Sequence, residues 1–363
     1  MQIFSLEVSP LVLIVVILAF TLLLLEIFTI GYTFIRQFQE RRQSATAQST
    51  REKILETVRT EQPPYDTFCS NITQKERTAA AQEIESLIET TSKPVTDNLR
   101  HLGKELGMYE TAVKKINRGD RIDRLNALTT LSLLRHPPAE SDIRAHCLGD
   151  PVLRGAGAHA LISSRTSRGY REALRVLYHE SSDRLSVLGM ETVYTIGRRR
   201  PELLLNELAD LMPTEDSPGL VQTLLVIAEL EIEDESDDLP QWVTTALSAD
   251  EPQVRAAAVR SLEAFGATIS QQSTTALITA TSDSAQQVRI AAAEVVDTVD
   301  DDRTLLRELA RAFTTEPDPY VRQEMVRTLI HQGYRPEQSL PPAAMKSWEW
   351  GVELVNPLVE ERV

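Results

Sequence analysis

Six histidines, His101, His136, His146, His159, His179 and His331, are the residues in this chain best suited to metal ligation or proton transfer near neutral pH. A helical zinc site sets two histidines four residues apart with a glutamate between them. One helical turn then brings both imidazoles to one face. No pair here has that spacing, and no H-x-H occurs; His179–Glu180 is a lone His–Glu pair. Cys69 and Cys147 stand 78 positions apart, which excludes a disulfide scaffold and a cysteine-based zinc site. Cys147 follows His146, but adjacent helical residues diverge by about 100°, so a buried thiol is expected rather than a catalytic dyad. No glycine-rich phosphate loop and no G-x-S-x-G elbow is present. These residues predict no catalytic constellation, no metal site and no cofactor, and hence a protein that is not an enzyme.

Charge offers a second kind of chemistry. The 363 residues carry 38 Lys and Arg against 53 Asp and Glu, a net charge of −15. That balance weighs against nucleic acid, whose binding requires neutralised phosphates. Acid excess and the scarcity of lysine also fit a halophilic setting, where salt screens self-repulsion. Residues 229–238, ELEIEDESDD, place seven carboxylates in ten positions, read as a solvated loop or as a site for a basic partner. Arg198, Arg199 and Arg200 form the opposite cluster before Pro201, where cations complement a helix C-terminus or present a docking patch.

The elements that position these groups begin with a membrane span. Residues 8–27 are nearly all apolar, including Leu11, Ile14, Leu18, Leu22 and Leu25. Twenty residues of helix reach about 30 Å, the thickness of a bilayer core. Aromatic residues follow to residue 35, then Arg36, Arg41 and Arg42; the N-terminal flank has Glu7 and no Lys or Arg. The charge bias predicts a single-pass anchor in the cell membrane, N-terminus out and the remainder cytoplasmic. A cleaved signal peptide fits less well, lacking a basic start and a small-residue cleavage site. Glu26 either reaches water at the cytoplasmic interface or meets another membrane helix.

Beyond the span, 36–72 reads as a polar juxtamembrane linker and 73–107 as two helices. From 108 to 335 the chain repeats itself. Aligned on Asp123, Leu153, Leu185, Leu220, Val254, Val288 and Val321, successive copies lie 30, 32, 35, 34, 34 and 33 residues apart. Positions +4, +5 and +8 from each anchor are small or apolar, one helical face. Apolar stretches between them, such as 201–212 and 303–313, supply a second helix per unit. Asp150, Asp250, Asp283 and Asp318 stand where N-caps are needed, with Pro151 and Pro319 at a first helical position. Arg154, Arg255, Arg289 and Arg322 recur in step and are expected to pair with carboxylates of their own or the adjacent repeat. Residues 336–363 form a capping segment with Trp348 and Trp350, which cover the end of the array or offer an aromatic docking site.

The period and the D-x-(P)-x-V-R-x-x-A-x-x-x-L pattern resemble HEAT repeats, most specifically in the units anchored at Leu153, Val254, Val288 and Val321. The resemblance implies an all-α, armadillo-like, right-handed α-solenoid of about seven helical hairpins, here preceded by one transmembrane helix. It implies protein–protein interaction rather than a particular reaction. Deoxyhypusine hydroxylases are similar in fold but hold several His–Glu pairs; the single pair at His179–Glu180 does not carry that site over. The expected domains are 1–7 outside the membrane, 8–35 in it, then 36–72, 73–107, 108–335 and 336–363. The function expected is a membrane-anchored scaffold or adaptor with a protein partner at the cytoplasmic face and lipid contact through 8–35. The rivals are a cofactor-binding protein or lyase- or hydroxylase-type enzyme on the same frame, and an accessory subunit of a transporter or sensor.

Overall fold

A computed structural model describes residues 48–60, 63–179, 184–211, 218–232, 239–265, 271–299, 303–336 and 339–360. The anchor residues Leu11, Ile14, Leu18, Leu22, Leu25 and Glu26 and their flank Arg36, Arg41 and Arg42 lie outside these. Among the described residues no helix is long and apolar enough to cross a membrane. All regular elements there are helices. The chain divides into two units, Met1–Met108 and Tyr109–Val363.

The described part of the first unit holds α1 (48–60), α2 (Asp66–Asn71), α3 (Gln74–Thr90) and α4 (Val95–Glu105). The expected polar linker 36–72 is thus helical over much of its length. Thr50, Ile54 and Val58 recur every four residues, and all three are buried. Asn98 of α4 donates to the Val58 carbonyl at 3.3 Å, and Glu105 accepts from the Tyr65 N–H at 2.6 Å. Helix α3 starts in a capping box: Thr73 accepts from the Glu76 N–H, and Glu76 accepts from the Thr73 N–H at 2.9 Å.

The second unit is a two-layered helical array. One layer comprises α6 (Arg121–Leu133), α8 (Pro151–Ile162), α10 (Val187–Arg199), α12 (Pro218–Ala228), α14 (Pro252–Ser261), α16 (Gln286–Thr298) and α18 (Pro319–His331), each packed on the next. These are the helices of the repeated pattern. The other layer comprises α7 (Glu140–His146), α9 (Ser167–Leu177), α11 (Pro201–Leu211), α13 (Gln241–Leu247), α15 (Gln271–Ala280) and α17 (Arg303–Thr315). Helix α5 (Met108–Arg118) precedes the array, and α19 (Pro342–Glu360) packs on α17 and α18 at its far end. Helix α14 tightens into a 3₁₀ turn over Leu262–Phe265.

Small residues set the spacing of the repeated layer. A Cβ on Gly155 of α8 would lie 1.9 Å from the Ser186 hydroxyl and 2.9 Å from the Gly189 backbone nitrogen, so only glycine permits this approach to α10. Burial is not one continuous block. One large cluster runs from Ala112 to Ala264 and takes in Ile227 of α12, Leu230 and Ile232; a second spans Leu239–Ala344, and a smaller one joins α12, α13 and α14. Trp242 packs against all three.

Candidate interaction surface

The repeated arginines sit in the first turn of their helices, and their roles show how neighbouring repeats are fastened. Arg255 donates through Nη1 to the carbonyls of Ala249 and Asp250, each at 2.8 Å, which closes its own inter-helix turn. Its Nε and Nη2 grip both oxygens of Asp283 in the next repeat at 2.9 Å. Arg289 repeats this one unit on, to the Asp283 and Ser284 carbonyls and then to Glu316 at 2.7 and 2.8 Å. Arg322 bonds the Glu316 and Pro317 carbonyls, and its Nε reaches the Ser347 hydroxyl of α19. A planar guanidinium with five donors can serve two carbonyls and a carboxylate together; lysine cannot. That geometry accounts for arginine at these positions.

Arg154 is also buried and donates to the Leu148 carbonyl at 3.4 Å, but among the described residues no carboxylate pairs with it. Asp150 pairs instead with Arg121, and it caps α8 by accepting from the Val152 and Leu153 N–H groups at 2.8 and 3.3 Å. Asp318 caps α18 in the same way, through Tyr320 and Val321. The capping expected of Asp250 and Asp283 falls differently. Glu251 occupies the α14 cap without a side-chain bond, and Ala285 occupies the α16 cap. Asp283 lies two residues earlier, accepts from the Ala285 N–H and is committed to Arg255. The insertion of Glu251 and of Ser284–Ala285 shifts each aspartate off the cap.

Hydrogen bonding to Arg121 and to the Val152 and Leu153 N–H groups holds the Asp150 carboxyl below the usual aspartate range. For Asp283, burial opposes ionisation, but Arg255 and the Ala285 N–H outweigh it and the value is again lowered. A carboxyl depressed in the folded state adds stability above its unfolded value of about 3.9, lost as pH falls through the folded value. Asp150→Ala is expected to cost about 1 kcal/mol at neutral pH through the lost cap. That difference from the parent should shrink in acid below about pH 4, measured by urea unfolding across pH.

At the opposite helix ends the layer is tied by other groups. Arg260 bonds Glu294 at 2.8 Å, His331 bonds Asp297 at 2.8 Å, Gln332 donates to the Asp297 carbonyl, and Thr328 donates to the Ala293 carbonyl. First turns thus meet first turns and last turns meet last turns, so neighbouring helices of this layer run parallel. The C-terminal ends of these helices lie on one edge of the array.

Along that edge charge changes sign. Arg165 follows α8, and Arg198, Arg199 and Arg200 end α10; all four are exposed. Arg198 lies 6.0 Å from the centre of the half-exposed Tyr194 ring. The next helices end in Glu229 and Glu231 after α12 and Glu263 after α14, also exposed. Burial, then the nearby carboxylates of Glu229 and Glu294, push the Glu263 carboxyl upward. Residues 201–250 contain no Lys or Arg. Positions 233–238 of the acidic run lie outside the described residues.

The two tryptophans separate. Trp348 is part of the core, its ring centre 6.2 Å from that of Phe313 and 6.4 Å from that of Tyr334. Trp350 is 41% exposed on the same helix. Cys147 is fully buried, and burial raises its thiol to about 11, an inert core sulfur. Among the described residues no group of three or more His, Cys, Asp or Glu side chains is arranged to hold a metal.

Two further ties were not legible from the repeat pattern. Gln222 of α12 brackets Leu185, accepting from its N–H at 2.6 Å and donating to its carbonyl at 3.3 Å. The Tyr178 hydroxyl bonds Thr223 at 2.7 Å; burial pushes its pKa above the ordinary phenol range, so it stays neutral. Both replace arginine at α10 and α12, where Ser186 and Val221 follow the anchors.

No curated protein matches the chain. One solved structure that it resembles is the crystal structure of an engineered protein, 14% identical, covering 80% of this chain and 78% of that one with a TM-score of 0.26. Residues 235–341 match the family model described as HEAT repeats. The helical array therefore carries HEAT repeats over that stretch.

Proposed function

We propose that this protein is a membrane-tethered scaffold whose HEAT-like array binds protein partners at the cytoplasmic face. The observation that carries this reading is the array itself: parallel helices fastened repeat to repeat, with their C-terminal ends along one edge. Such arrays present extended surfaces rather than a single pocket, and HEAT repeats commonly mediate protein–protein interaction. The apolar run of 8–27 is the tether, N-terminus out, and residues 8–35 meet lipid. Tethering raises the local concentration of the array near a membrane partner without any new contact. In this reading the solenoid is right-handed, and the chain binds rather than catalyses.

The test is co-isolation from detergent-solubilised membranes with the full chain and with a form lacking the second unit. Partners are expected to disappear with the array. Recovery of the same partners without it would remove the scaffold role.

A further inference from the structure

The edge formed by the described C-terminal ends of α8, α10, α12 and α14 is self-complementary. Read along the array, the ends of α8 and α10 carry Arg165 and Arg198–Arg200, and the ends of α12 and α14 carry Glu229, Glu231 and Glu263. The four free arginines and these glutamates face solvent, with no ion-pair partner among the described residues. Elsewhere in the array exposed arginines do find carboxylates: Arg168 bonds Glu172 and Arg171 bonds Glu207. Neighbouring helices stand about 8–10 Å apart, so each charged half spans two helices.

We infer that this edge docks against the same edge of a second copy, antiparallel, about a two-fold axis between α10 and α12. That operation sets α10 of one copy opposite α12 of the other, and α8 opposite α14. Arg198, Arg199 and Arg200 then face Glu229 and Glu231, and Arg165 faces Glu263. Each contact occurs twice, as a closed two-fold interface requires. A parallel arrangement would set like charges together, so the charge order itself selects the antiparallel pair. The half-exposed Tyr194 beside Arg198 gives the basic half an aromatic contact of the kind enriched at interface centres. Burial and then the carboxylates of Glu229 and Glu294 disfavour the Glu263 charge in a single copy, and an arginine brought opposite would offset the like-charge part.

The test uses the full chain in detergent with two affinity tags. Wild-type copies should co-isolate at about 0.1 M salt and separate near 1 M, as the screening length contracts from about 10 Å to about 3 Å. Arg198→Glu/Arg199→Glu/Arg200→Glu should weaken self-pairing by at least about tenfold, and so should Glu229→Arg/Glu231→Arg, both of which leave Arg165 and Glu263 in place. Mixing the two variants should restore pairing, because opposite charges again face each other. That rescue distinguishes loss of complementarity from misfolding. The inference is overturned if wild-type copies do not pair at low salt, if either variant pairs as the wild type does, or if the mixture is not rescued. It is also overturned if the arginine half instead binds vesicles of anionic lipid while the copies stay single. Partner recovery under the scaffold reading is scored separately, so either can fail alone.

Discussion

Arg289→Ala is expected to lower the stability of the second unit by about 3–5 kcal/mol. The Arg289 side chain is 12% exposed and that of Glu316 is 3% exposed, so little water reaches the pair. Removing the guanidinium strands a buried carboxylate and also releases the Asp283 and Ser284 carbonyls. The cost arises chiefly from the charge left behind, not from the attraction lost. Arg289→Met combined with Glu316→Leu should therefore recover much of the loss, since apolar replacements of similar volume leave no unpaired charge. Urea unfolding followed by far-UV circular dichroism, comparing single and double variants, measures both effects. A double variant as unstable as Arg289→Ala would show that the carbonyl ties dominate.

The second large effect is expected at Phe313→Ala. Phe313 of α17 is 1% exposed, and its ring faces the Trp348 ring of α19. Truncating a buried phenylalanine costs about 3–5 kcal/mol, the transfer of the ring plus the cavity left behind. Here the loss should be local as well as global, because α19 packs only at the end of the array. Limited proteolysis should cut within α19 before any other described helix, and tryptophan emission should shift to the red as Trp348 meets water. Cleavage distributed evenly along the array would argue against a separately docked terminal helix.

The periodicity of the chain made the repeated layer legible because small and apolar residues at fixed offsets leave few other ways to bury a helix. The positions of Asp150 and Asp318 as caps followed from Asp-Pro, which fixes both the cap and the first helical residue. Asp250 and Asp283 misled because one or two inserted residues move the cap while the aspartate keeps its place in the pattern. Arg154 shows a related limit: its position was legible, but pairing depends on what the next repeat supplies. Helix α1 lay hidden in a polar stretch, since its buried stripe is only Thr50, Ile54 and Val58. The edge was the least legible feature. Its arginines and glutamates are scattered over 165–263 in sequence and become neighbours only once parallel packing aligns the helix ends.

The change of fastening at α10 and α12 has a mechanical consequence. From α14 onward each joint is clamped by a guanidinium that grips two carbonyls and, at Arg255 and Arg289, a carboxylate as well. Charge-assisted bonds of that kind are roughly twice as strong as neutral ones. Between α10 and α12 the clamp is a neutral glutamine, with the bond from Tyr178 at the end of α9 to Thr223 of α12 beside it. A chain of links of unequal stiffness concentrates strain at the softer ones. Pulled or twisted from its two ends, this array is expected to yield around α10 and α12 before its arginine-clamped C-terminal repeats do.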